Sequence, residues 1–373
     1  MAGTTATDAG HPCGTPAHAV LEIDLAAVVA NWRSLCAVHG GLPTAGVLKA
    51  DAYGTGARRV AVALHTAGCR HFFVAHLNEA LDIRDLLPGA MLAVLNGLLP
   101  GAEADYLAHG IDPVLGSLPE IARWTALARH IGRPLPALLH IDTGMARLGL
   151  DPAEMRALSG DADLLRGLLP RYAMTHLSAA ETPADPANRA QLRRFDAACA
   201  GLPPMPRSLA NSSGLYLGED FRSDLARPGA ALYGVNPTPG QPNPMRPVVH
   251  LRARVLQVRD VAQGETVGYN ATWRASRPSR IATVGVGYAD GWPRALSNRG
   301  AACFDGIPLP LVGRVSMDLS AYDVTDHPAI GPSDWLELIG PHRDVAQVAE
   351  TAGTNAYEIL TNLGRRYARV WRE

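Results

Sequence analysis

Short apolar runs alternate with helix-length amphipathic stretches along the first two thirds of this chain, and few folds satisfy that rhythm. The runs lie at 19–23, 44–48, 71–75, 91–95, 112–115, 136–141, 171–176, 206–209 and 223–227. One intervening stretch, DLAAVVANWRSLCAVHG, places Asp24 as an N-cap and Gly40 as a stop. Another, SLPEIARWTALARHIG, places Glu120 three residues after Ser117, the spacing of a capping box. Strands separated by helices argue for parallel pairing with helical crossovers. About eight such units precede residue 235 and predict a (β/α)8 TIM barrel.

The pattern changes after PTPGQPNPMRP, residues 237–247, where five prolines mark a linker or long loop. Beyond it, HLRARVLQVRDV, RIATVGVGYADGW and GIPLPLVGRVSMDLSAYDV are strand-like runs between Gly- and Pro-rich turns. Helices are expected near 344–362 and a last strand in RRYARVWR. The predicted organisation is a disordered leader over 1–17, a barrel domain over 18–240 and a mostly-β domain over 241–373.

Composition narrows the function. A net charge of -1 supplies no basic footprint for nucleic acid and no polybasic membrane patch. No run of apolar residues is long enough to span a bilayer. The first 17 residues lack the basic start and apolar centre of a secretory signal. The cysteines, Cys13, Cys36, Cys69, Cys199 and Cys303, are scattered without a CxxC pair. Reduced structural thiols in a cytoplasmic protein follow, and no metal site is expected.

Thirty-three arginines accompany a single lysine, Lys49. Arg serves wherever a cation need only be charged. It cannot serve where a deprotonated amine must attack a carbonyl, because guanidinium stays charged in proteins. Lys49 follows the run TAGVL, at a strand's C-terminal end, the face on which βα barrels gather catalytic groups. DAYGTGA then turns into a helix beginning near Ala57. A Schiff-base lysine pairs with a carbonyl substrate or with pyridoxal phosphate (PLP), which also needs a phosphate site. Barrels build one from the loops after strands 7 and 8. Here those loops read LANSSGLYL and ARPGAALYG, offering Asn211, Ser212 and Ser213 ahead of a short helix, and Gly229, which lets backbone approach an anion.

With LKADAYGTGA, HIDTGMARLGL, MTHLSAAE, ANSSG, RPGAALYG, VGYNATW, VGYADGW, GRVSMD and TNAYEIL in this order, the chain resembles the alanine racemases from about residue 19 to 372. That resemblance implies a PLP enzyme interconverting L- and D-alanine, with a barrel, a C-terminal β domain and homodimeric active sites shared between chains. It implies that Lys49 holds PLP and acts as one base. Tyr53, Ser212, the N–H groups of Gly229 and Ala230, and Tyr357 would hold the phosphate, beside Asn211. Arg147 would touch cofactor and substrate carboxylate, Arg227 would face the pyridine nitrogen, and His176 would stand near it. Tyr269, from the partner chain, would be the second base. Met317 would meet the substrate carboxylate through its backbone, and Tyr288 and Asp318 match entryway and substrate-site positions. Two bases are a physical requirement, since a proton must leave one face of Cα and return to the other.

On residue type alone, His176 reads first as a core histidine, while Arg147 also reads as a helix-start salt-bridge partner and Tyr269 equally as interface packing. One position departs from the family pattern. Many relatives carry a carbamylated lysine two residues before the Asp of DTGM, and here that residue is His140. Arg147 must then be held by an anion, by water or by His140. Competing readings are a broader amino-acid racemase or decarboxylase of the same design, a cofactor-free Schiff-base aldolase, and a non-catalytic PLP-binding barrel. The β domain carrying Tyr269 and Met317 argues against the last. The resemblance implies D-alanine either supplied for peptidoglycan or catabolised.

Overall fold

The computed structural model describes residues 16–373, so Cys13 and nearly all of the predicted leader lie outside it. The chain divides into two compact units. One comprises residues up to Ala27, Tyr233–Val235 and Pro247–Glu373; the other comprises Val28–Leu232 and Asn236–Arg246.

The second unit is the barrel. Its strands are β2 (Gly46–Val47), β3 (His71–Val74), β4 (Met91–Val94), β5 (Asp112–Leu115), β6 (Leu135–His140), β7 (Leu168–Met174) and β8 (Arg207–Ser208), all parallel and hydrogen-bonded in chain order. Leu225 and Ala226 occupy the eighth position through single parallel bridges to Ser208 and Thr44. The N–H of Ala45 donates to Ala226 O at 2.9 Å and closes the ring. Ala45, Val47, Phe73, Ala93, Val114, Leu138, Met174 and Leu225 fill the interior, with Tyr53 and Tyr172 packed against them. Small and large side chains from different strands interlock there, which makes the barrel a filled core and not a pore.

The run at 19–23, predicted as part of the barrel rhythm, belongs elsewhere. It forms β1 (Ala19–Asp24) in the other unit, antiparallel to β9 (Val249–Val261) and parallel to β17 (Ala368–Arg372). Its apolar pattern specifies burial, which either sheet provides, and period alone does not choose a partner. Asp24 still caps the following helix, Leu25–Val38, by accepting from the Ala27 N–H at 2.7 Å.

This unit is built around β9. Its first half pairs with β1 and β16 (Trp335–Ile339), and its second half with β12 (Ser279–Val284). The sheet continues through β13 (Ala301–Phe304), β14 (Ile307–Val312) and β15 (Ser320–Asp323) back to β12, closing on itself. A short hairpin, β10 (Thr266–Val267) and β11 (Trp273–Arg274), carries Tyr269 at its tip. The expected late helices are Val345–Ala352 and Ala356–Asn362.

Candidate active site

Lys49 stands just past β2, and the backbone after it does something unforeseen. Ala50, Asp51, Ala52 and Tyr53 all have φ near +54, continuing into Gly54 at +79. This is one turn of left-handed helix built from residues with a Cβ, each costing roughly 1–2 kcal/mol. Such strain persists only where surroundings over-determine it. Here Glu79 Oε1 accepts from the Ala50 N–H at 2.6 Å, and Asp51 Oδ1 accepts from the Ala57 N–H at 2.7 Å. The turn reverses the chain within four residues, so that Lys49 Nζ lies 6.0 Å from the centre of the Tyr53 ring.

Glu79 was not foreseen. It sits in the helix Leu77–Ile83, where it also accepts from the N–H groups of Ala75 and His76. Two later helices repeat the arrangement. Glu120 accepts from Gly116 and from Leu98 in the previous loop, and Glu154 accepts from Asp151 and from Leu118. A glutamate three residues into each helix thus ties its own loop to its neighbour across the strands' C-terminal face. The predicted capping box at Ser117 is accordingly not formed: its hydroxyl donates to Glu120 Oε2 at 3.1 Å and accepts no helical N–H. Glutamate at that spacing is a visible signal, but its second bond crosses to another loop.

The two candidate phosphate loops meet. Ser212 Oγ accepts from the Gly229 N–H at 3.0 Å and from the Ala231 N–H at 3.2 Å. Gly229 is required by close approach, since a Cβ there would stand 2.3 Å from Tyr53 Oη. Asn211 uses its side-chain oxygen to cap the short helix Gly214–Tyr216, accepting from the Gly214 N–H at 2.8 Å.

Arg227 is 5 % exposed and donates to Ser208 Oγ and to Thr175 O, each at 2.5 Å. Among the described residues no carboxylate lies within ion-pair distance of it, and burial lowers its pKa to about 10. A buried cation without a counter-charge is costly. Its field reaches both histidines. Burial first and Arg227 second push His176 down to about 3 and His140 down to about 4, so both rings are neutral at ordinary pH. Arg147 is exposed, on a loop held by Asp142 Oδ1, which accepts from the N–H groups of Gly144, Met145 and Ala146. Burial, then Arg147, lowers the Lys49 amine below the usual lysine value, against a weaker pull from Glu79. Lys49, Arg147 and Arg227 therefore concentrate positive charge beside Tyr53 and the Ser212 loops.

In the other unit, Tyr269, Tyr288 and Met317 are exposed, at 70 %, 44 % and 54 %. The N–H groups of Tyr288 and Ala289 donate to Ser316 O and Met317 O, each at 2.9 Å, which clasps the two motif loops together. Asp318 Oδ1 accepts from Arg366 at 2.7 Å. Tyr357 lies in the helix Ala356–Asn362.

Residues 23–237 match the family model for the alanine racemase N-terminal domain, and residues 248–371 that for the C-terminal domain. The chain belongs to the alanine racemase family. The alanine racemase of Acidiphilium cryptum is 58% identical over 353 residues, covering 95% of this chain and 98% of that protein. The catabolic alanine racemase of Agrobacterium fabrum is 48% identical, covering 94% and 91%. The alanine racemase of Bartonella henselae, solved with covalently bound pyridoxal phosphate, superposes with a TM-score of 0.93 at 43% identity, covering 96% of this chain and all of that one. The alanine racemase residues here fit that cofactor. A lone amine of lowered pKa, a tyrosine hydroxyl against a glycine backbone, two loops rich in N–H groups and a buried unpaired guanidinium suit an aldehyde, a phosphate and a ring nitrogen.

Proposed function

We propose that this chain racemises alanine with Lys49 and Tyr269 as its two acid/base groups. The observation that carries the reading is the placement of the only lysine, its amine lowered in pKa, beside the Tyr53, Ser212 and Gly229 cluster. Lys49 would hold PLP through Nζ, Tyr53, Ser212 and the backbone of Gly229 and Ala230 would take its phosphate, and Arg227 would face the ring nitrogen. When bound, PLP supplies an electron sink that acidifies the substrate's Cα proton.

The chain's own groups do the rest. Arg147 and the Met317 backbone orient the substrate carboxylate, fixing which side of Cα each base meets. Lys49 Nζ takes or gives the proton on one face, and Tyr269 Oη, supplied by a second copy of the chain, serves the other. Arg227 stays charged and keeps positive potential at the ring nitrogen, disfavouring a proton there. His176 is neutral and can accept or donate a hydrogen bond without adding charge. Tyr288, Asp318 and Tyr357 shape the approach, and Tyr357 limits side-chain size in favour of alanine. We place the reaction in the cytoplasm, in a homodimer; no described helix is long and apolar enough to cross a membrane.

Replacing Tyr269 by Phe tests the two-base reading. Racemisation should fall by a factor of about 10²–10⁴, the usual worth of a general acid/base, while the yellow cofactor absorbance stays. Unchanged activity would remove Tyr269 from the mechanism.

A further inference from the structure

Apart from Tyr269, the residues of the C-terminal unit assigned to the site lie on three separate segments, and one ion-pair hub joins all three. Asp290 is 4 % exposed and belongs to the Tyr288 loop, where its Oδ2 accepts from the Gly287 N–H at 2.9 Å. Arg366 grips that carboxylate with two arms, Nε to Oδ1 at 2.6 Å and a terminal nitrogen to Oδ2 at 2.8 Å. Its remaining terminal nitrogen donates to Asp318 Oδ1 at 2.7 Å, reaching the Met317 loop. The Asp290 carbonyl accepts from the Gly364 N–H at 2.8 Å, tying in the segment after the Tyr357 helix.

Backbone contacts leave this junction little slack. A Cβ at Gly287 would stand 2.4 Å from both Ser316 O and Met317 O, and one at Gly291 would stand 1.8 Å from Asn362 O. Exposed ion pairs such as Arg366–Asp318 are worth little by themselves. Here, however, the guanidinium is already fixed by a two-pronged bond to a buried carboxylate, the strong form of the interaction. Asp318 therefore meets a donor whose position is set in advance.

We infer that Arg366, anchored on Asp290, is a positioning residue that holds the Tyr288 and Met317 loops in the geometry the substrate meets. The inference rests on reading those loops as the substrate side. Arg366 touches no reacting atom; it acts through the loops it ties.

The test is steady-state racemisation of L-alanine by holoenzyme carrying Arg366→Met with Asp290→Asn, a pair that strands no buried charge. Charge-assisted bonds of this kind correspond to about tenfold to a hundredfold in an equilibrium constant. KM for alanine should rise by that factor while kcat changes less, as when binding common to ground and transition state is lost. Cofactor absorbance should be retained. Should the pair not fold, Arg366→Lys carries the same test, because it keeps the charge but cannot span both carboxylates. A folded variant with unchanged KM overturns the inference. Tyr288→Ala separates the two failures. If it raises KM and the Arg366 variants do not, only the positioning role falls. If it too leaves KM unchanged, the loops are not the substrate side, and both readings fall.

Discussion

Lys49 is the residue where codon preference and chemistry part. A chain that uses arginine for every other permanently cationic side chain keeps one amine, in a spot where burial and Arg147 favour its neutral form. Ser212 and Gly229 were legible because each sits in a loop after a strand, whereas Tyr53 and Arg227 entered only through the family resemblance. Their mutual contacts were not, since Ser212 meets Gly229 across 17 residues and Gly229 meets Tyr53 only where the eighth strand position closes against the first. His140 makes a separate prediction. It is buried and neutral at the position where the family resemblance implies a carbamylated lysine, and no second lysine exists to be modified. Activity at fixed pH should not respond to removal or addition of bicarbonate. A bicarbonate-dependent rate would mean that carbamate chemistry persists by another route.

At the scale of elements, strands and most helices followed from period and capping, but the left-handed turn after Lys49 did not. Ala, Asp, Ala and Tyr carry little sequence signal for positive φ; Glu79, Asp51, Thr55, backbone bonds to Leu48 and Gly56 and the packed Tyr53 hold them there. The turn reverses an ordinary expectation. In a right-handed helix Ala→Gly costs roughly 0.5–1 kcal/mol. At Ala50, exposed and at φ 54, Ala50→Gly should instead stabilise by about 1 kcal/mol. Ala50→Val should destabilise by more than that, because a β-branched side chain at positive φ is a genuine outlier. Equilibrium denaturation of both variants checks the turn, and a loss of stability in the glycine variant would contradict the left-handed geometry.

Across the whole molecule, both ends of the described chain meet in one sheet. The register Val20↔Ala368 through Asp24↔Arg372 pairs β1 with β17, so the C-terminal unit is completed only when its first and last strands come together. The pattern of 19–23 could not reveal this, because its partners β9 and β17 lie far away in the chain, β17 almost 350 residues on. Titration is also set at this scale. His140 and His176 have native pKa values near 4 and 3, against an ordinary value of 6.5. The unfolded chain therefore takes up their protons first. The stability they contribute is complete above about pH 6.5 and is lost as pH falls toward 4 and below. Asp112 works oppositely: burial raises its carboxyl to about 6, so it favours the native state as pH falls from 6 toward 4. The histidine shifts are together the larger, so Tm should fall between pH 6.5 and 4, and His140→Asn should flatten that fall. A slope unaffected by the substitution would mean that His140 takes up its proton without cost in the native state.

The most direct test of the central claim uses the purified holoenzyme, reduced with borohydride, digested and mapped by mass. The expected result is a yellow protein that bleaches on reduction and carries one pyridoxyl group, on the peptide containing Lys49. A colourless protein that remains unmodified after PLP is supplied would contradict the claim and leave the lone lysine without a chemical role.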